Sequence, residues 1–329
     1  MTRVLRTPLT LLAAAALAAC TSLIPQQQRP AAPVAASFPY PGAQQGTPAA
    51  ALEWQSFFTD AKLRSLIGTA LANNRDLRIA ILNIENARAQ YDIRRADIYP
   101  TVGVSGAVSR APSPLNGQQG TTYTAGLAFS AWEIDFFGRL NALSEAAVAQ
   151  FFATEEARKA AQTSLVASVA NAWLSLAADE ELLAVARETL AAREETLRLM
   201  TLRFENGVSS ELDVRLARSL TETARASLAQ AQRQRALDID TLSLLVGQQL
   251  PNDFTTGTTL SAVSLPDVPP GTPSDVLAAR PDVRQAEQLL AAANANIGAA
   301  RAAFFPRIAL TAQAGRASTQ LSGLFDGGG

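Results

Sequence analysis

The chain has 329 residues, enough for two ordinary domains. Its 28 basic and 29 acidic side chains leave a formal charge of −1 with no basic stripe, so nothing favours nucleic acid as a partner. Histidine is absent, which removes the commonest general base and the commonest transition-metal ligand together.

Arg3 and Arg6 precede an apolar run over residues 9–19. That run is too short to span a bilayer as a helix, which takes about 20 residues, but it suits an export signal over residues 1–19. Leu17-Ala18-Ala19-Cys20 resembles the bacterial lipobox, in which the cysteine is acylated and becomes the mature N-terminus. Cys20 is the sole cysteine, and Thr21 and Ser22 after it imply, by the same resemblance, sorting to the outer membrane. Residues 20–53 are rich in Pro, Gln and Ala and read as a lipid-anchored tether with no core of its own.

Residues 54–99 read as helices. Asp60 is a plausible N-cap, and Leu63, Leu66, Ile67, Ala70 and Leu71 follow at helical spacing. A second helix is expected over 76–98, with Pro100 as its stop. The period then changes from 3.6 to 2, and residues 100–132 read as a β-hairpin. Val102, Val104 and Val108 alternate with small polar residues. After a turn-rich stretch, Tyr123, Ala125, Leu127, Phe129 and Ala131 are expected on one face.

Residues 133–247 read as a long helical hairpin. No proline or glycine interrupts 139–204, a run of 66 residues, or about 100 Å of helix. Val169, Leu176, Leu183, Leu190, Leu197 and Phe204 recur every seventh residue, a period that imposes a left-handed supercoil on packed helices. Gly207 breaks the run, and Ser210 with Asp213 has capping-box spacing for a return helix to Val246. On that return arm Ala217, Ala224 and Ala231 form a seven-spaced stripe of small residues.

Residues 248–275 are rich in Thr, Pro and Gly and read as a linker packed around the helices as a belt. Residues 276–305 read as a further helix and 306–329 as a third strand, with Pro306 between them. These last elements are a duplication. Residues 76–100 recur without a gap as 282–306, an offset of 206, so that Asp76, Arg95 and Pro100 become Asp282, Arg301 and Pro306.

No catalytic constellation can be assembled. Without histidine there is no Ser-His or Cys-His pair, and adjacent acids such as Glu155-Glu156 and Glu180-Glu181 diverge on a helix. No metal-ligand cluster and no phosphate-binding glycine loop occurs, so neither an enzyme nor a cofactor is expected. The pattern points to a conduit or a scaffold. Apolar-out, small-polar-in strands of about 9–11 residues suit an outer-membrane barrel. Three strands cannot close one, since single-chain barrels start at about eight, so several chains would have to pool their strands.

Trp132-Glu133-Ile134-Asp135-Phe136-Phe137-Gly138-Arg139 resembles the strand-to-helix signature of the TolC-type outer-membrane factors, in particular the lipoprotein branch paired with resistance–nodulation–division transporters. Residues 204–214 (Phe204-Glu205-Asn206-Gly207-Val208-Ser209-Ser210 and Leu212-Asp213-Val214) and Ala279-Arg280-Pro281-Asp282-Val283 support it. The resemblance implies a mostly α protein with membrane β-strands. It would form a homotrimer whose coiled-coil helices make an α-barrel continuing a β-barrel. The implied place is the cell outer membrane, with the helices in the periplasm. Implied partners are a periplasmic adaptor (membrane fusion) protein and an inner-membrane transporter that drives export through a passive duct. By the same resemblance Gly207, Val208, Ser209 and Ser210 form the adaptor-contact tip, while Trp132, Asp135, Gly138 and Arg139 hold the strand-to-helix turn. A periplasmic coiled-coil adaptor or scaffold lipoprotein is the alternative. The counterpart of Trp132 would fall at 338, past Gly329, so the second repeat is expected to be incomplete and this chain alone not to conduct.

Overall fold

The computed structural model describes residues 22–28, 30, 34, 52–112, 117–251, 254, 260, 265–266 and 273–325. Cys20 and most of the tether lie outside the described residues. The described elements, in order, are helices α1 (Trp54–Phe57), α2 (Ala61–Asn73) and α3 (Arg75–Ala96), strands β1 (Gly103–Pro112) and β2 (Gln119–Glu133), and the long helices α4 (Arg139–Glu205) and α5 (Glu211–Val246). Then follow α6 (Pro273–Ala279), α7 (Pro281–Ala302), β3 (Ala309–Ser318) and a 3-10 turn (Ser322–Leu324). Two compact units divide the chain, one of Ala32–Asn83 and Glu155–Arg284, the other of Met1–Ala31, Ile84–Thr154 and Gln285–Gly329.

The first of these units is built on a helical core. Leu63, Leu66, Ile67 and Ala70 of α2 recur at helical spacing and are buried with Leu165, Val169, Trp173 and Leu176 of α4 and Leu242 and Val246 of α5. Two polar side chains pin the entry to this core. Asp60 caps α2 by accepting from the Lys62 amide at 2.8 Å, and its other oxygen takes the indole N–H of buried Trp173 at 2.9 Å. Asn74 caps α3 through the Leu77 amide at 2.8 Å and donates to the Leu245 carbonyl at 2.9 Å. Each group thereby satisfies a helix end and a tertiary contact at once.

The seven-residue rows meet as expected and fade with distance. Val169, Leu176 and Leu183 are buried, Leu190 and Leu197 half-buried, and Phe204 exposed. On the return arm Ala217 and Ala224 are buried and Ala231 half-buried. Polar bridges accompany the seam: Arg235 to Glu180 at 2.6 Å, Arg225 to Glu194 at 3.0 Å, and the Thr221 hydroxyl to the Arg193 carbonyl at 3.2 Å.

The other unit holds an antiparallel sheet in the order β1-β2-β3. Register places Val104, Leu127 and Ala314 on one face and Ser105, Gly126 and Gly315 on the other. Every residue of β1 is exposed, so nothing among the described residues covers either of its faces. Alternation without a covering layer fits a sheet whose apolar face meets lipid. One expectation is corrected. A register shift between Phe129 and Trp132 inserts a bulge, with Ala131 at φ 54°. An extra residue in one strand moves every later side chain to the opposite face. Trp132, opposite Leu310, therefore takes the place in the apolar row that strict alternation gave to Ala131.

The duplication is reproduced to the residue. Arg75–Ala96 and Gly103–Pro112 become Pro281–Ala302 and Ala309–Ser318, all four boundaries displaced by 206. No helix among the described residues is long and apolar enough to cross a membrane.

Candidate functional site

Two places concentrate the residues singled out from sequence: the junction where β2 turns into α4, and the turn between α4 and α5.

At the junction the bulge is stitched to β3 by the Ala131 amide, which donates to the Thr311 hydroxyl at 3.2 Å. The re-aimed Trp132 then donates its indole N–H to the Ile98 carbonyl at 3.0 Å, tying the end of β2 to the segment between α3 and β1. Glu133 grips the Arg139 guanidinium through two parallel bonds of 2.8 and 2.6 Å, with both side chains only about one-fifth exposed. Bidentate geometry at partial burial makes this a stronger clamp than an exposed ion pair. Between these residues the chain reverses. The Ile134 amide bonds the Ile308 carbonyl at 2.9 Å, extending the ladder past β2. Asp135 then accepts from the Asn141 amide at 2.8 Å and its side-chain amide at 3.0 Å, satisfying the first turn of α4. Gly138 sits at φ 71°, a left-handed conformation that a side chain disfavours. Phe137 stacks on Phe305 at 4.4 Å, joining the junction to the helix-to-strand turn of the second copy.

The hairpin tip is also over-determined. Gly207, at φ 71°, ends α4. Its amide reaches the Phe204 carbonyl at 2.9 Å and the Val208 amide reaches the Arg203 carbonyl at 2.8 Å, which is the paired geometry of a Schellman cap. Ser210 starts α5 with a full capping box: the Asp213 amide donates to its hydroxyl at 3.2 Å, and its own amide donates to the Asp213 carboxylate at 3.0 Å. The Ser210 hydroxyl also donates to that carboxylate at 2.8 Å, and this bond with that of the Ser210 amide holds the Asp213 carboxyl below the usual carboxylate range. The Ser209 hydroxyl bonds the Met200 carbonyl at 3.4 Å. With its backbone groups satisfied, the tip presents Val208, Leu212 and Leu216 to solvent as apolar knobs.

Sequence reasoning missed three features. One is the bulge, which has no composition signal of its own. Another is a carboxyl pair across the hairpin: burial and a hydrogen bond shared with Asp179 push Asp238 up to about 6, while Gln234 donates to it at 3.0 Å. Asp179 and Gln234 also line an open groove of about 680 Å³ between α4 and α5. The last is a contact of the segment after Cys20 with α7, developed below. No group of acids and cysteine suited to a metal occurs among the described residues.

A sheet with exposed outer strands, joined through a clamped turn to one very long helix, defines a class of membrane-strand proteins with coiled-coil extensions. The outer membrane efflux protein family model matches residues 66–248 and 272–328, and the chain belongs to that family. It is 48% identical over 318 residues to the probable efflux pump outer membrane protein TtgC of Pseudomonas putida, covering 93% of this chain and 66% of that protein. The chain thus spans about two thirds of the length of that relative. Among solved structures it resembles a membrane protein from Pseudomonas aeruginosa (TM-score 0.82, 42% identity, 94% of this chain and 71% of that one). It also resembles the open state of the MtrE outer membrane channel of Neisseria gonorrhoeae (TM-score 0.81, 38% identity, 94% and 69%).

Proposed function

We propose that this chain is the outer-membrane channel component of a tripartite efflux pump, a passive exit duct driven by an inner-membrane resistance–nodulation–division transporter. The observation that carries the reading is the sheet whose outer strands β1 and β3 are exposed along their length, at the head of a 67-residue helix. Unpaired strand edges are prohibitive in hydrocarbon, so β1 and β3 require further strands beside them. A homotrimer pools strands into one closed barrel, and its helices prolong that cylinder into the periplasm. The printed names of the relatives, an efflux pump outer membrane protein and an outer membrane channel, support this assignment.

Cys20 is the acylated N-terminus in this reading, anchoring the chain in the outer membrane. Gly207, Val208, Ser209 and Ser210 are the adaptor contact: the rigid Schellman turn holds Val208 out at 65% exposure, a fixed knob for a partner helix. Fractionation and crosslinking of the full chain in isolated outer membranes test the assembly. A trimer band in the outer-membrane fraction is expected. A monomer that is water-soluble once the acyl group is removed overturns the reading. Photo-crosslinking from position 208 should capture the periplasmic adaptor.

A further inference from the structure

The residues that follow Cys20 are seated. Ile24 lies in a notch on α7 that exists because residue 298 has no side chain: a Cβ on Gly298 would stand 2.5 Å from Ile24 Cγ1 and 3.0 Å from its Cα and N. Hydrogen bonds lock the seat on both sides. The Asn294 side-chain amide donates to the Pro25 carbonyl at 2.8 Å, and the Arg301 guanidinium donates to the Leu23 carbonyl at 3.4 Å. Pro25, Ile24 and Leu23 thus meet Asn294, Gly298 and Arg301 in turn, so the segment is antiparallel to α7 and, traced back from Pro25 toward its N-terminal end, approaches the strands. It next reaches the junction, where the Cα of Ser22 comes within 3.9 Å of the Cβ position of Gly138.

We propose that residues 22–25 are a rigid bracket, seated in the Gly298 notch and ending against Gly138, that fixes where the lipid anchor leaves the protein. Only Thr21 lies between Cys20 and Ser22, and the two Cα-to-Cα steps reach at most about 7 Å. The acylated sulfur is therefore confined to the strand-to-helix junction, and acyl chains and strands enter the same leaflet side by side. The other copy of the repeat cannot offer this seat, because its residue at the position of Gly298 is Asp92, whose side chain would fill the notch. The bracket accordingly has one address in the fold. It rests on the acylated-anchor reading above and adds to it a position.

The test uses the full chain in detergent with a Leu23→Cys reporter and a hydrophilic maleimide. Labelling should be slow in the parent, at least tenfold faster with Gly298→Leu, and several-fold faster with Gly298→Ala. Alanine forms helix better than glycine, so a gain in the alanine variant is not a loss of α7. Asn294→Ala, which removes one lock and leaves the notch, should also raise the rate. Rates within twofold of the parent in all three variants overturn the bracket. The anchor is read separately, in protein without the reporter: an acylated Cys20 takes up no maleimide and carries diacylglyceryl by mass spectrometry. A reactive Cys20 would sink the anchor, and with it the proposal, whatever the labelling rates.

Discussion

Strand β1 follows α3, and β3 follows α7, across segments of identical length, yet the two helices have different surroundings. Helix α7 buries Ala292, Ala295, Gly298, Ala299 and Ala302, a face of small residues that lets other chain segments approach closely. Helix α3 buries only Leu77 and leaves Ile79, Leu82 and Ile93 half-exposed. The helix-to-strand turns differ in the same way. Phe305 stacks on Phe137, whereas its counterpart Tyr99 is 63% exposed, and the first turn is held instead by the Trp132 indole on the Ile98 carbonyl. Duplication copies period and stops. Cover depends on what each copy meets.

Five substitutions sharpen or break this comparison. The largest effect is expected at the first junction. Arg139→Ala leaves Glu133 partly buried without its partner and should cost about 2–3 kcal/mol, below the range for a fully buried pair because about one-fifth of each side chain is exposed. The urea midpoint of the detergent-solubilised protein measures it, and a shift no greater than that of a surface control refutes the clamp. Next comes the repeat-paired test. Phe305→Ala should cost about 1–2 kcal/mol through lost stacking and area, while Tyr99→Ala, at the same repeat position, should stay within about 0.5 kcal/mol. Equal costs would show that the two turns are equivalent after all.

Smaller effects belong to the hairpin that follows the first copy. Ser210→Ala removes the capping-box hydroxyl and should cost about 1 kcal/mol, read as faster amide exchange confined to the first turn of α5. The mildest test concerns pH. Asp238 titrates at about 6 in the folded state, above the ordinary 3.8, because of burial and its shared hydrogen bond with Asp179. A raised carboxyl pKa contributes stability that is complete below the unfolded value and lost as pH rises through about 6. Melting temperature should therefore fall between about pH 4 and about pH 6 and level off above that. Asp238→Asn should flatten that slope, and an unchanged slope would remove the pair from the account.

Much of the helical part was legible in the residues themselves. The proline- and glycine-free run became α4, Asp60 and Ser210 became caps, and the offset of 206 reappeared in every boundary of the repeat. These features are local, since period, cap and stop are decided within a turn or two of chain. The alternating strands were legible as strands, but the face taken by Trp132 was not. One inserted residue at Ala131, bonded to Thr311 180 positions away, reverses it.

By itself the sequence determined the period of each long element and most of its caps and stops, because those follow from backbone sterics and spacing. The helix read over 276–305 is in fact two, Pro273–Ala279 and Pro281–Ala302. Tertiary structure alone decided which rows are covered. Only there does Asp179 come against Asp238 and push its carboxyl up, and only there does Gly298 become a seat for Ile24. The reason is distance along the chain. A missing Cβ at 298 has no meaning until residue 24 is brought against it, and no local period carries that information.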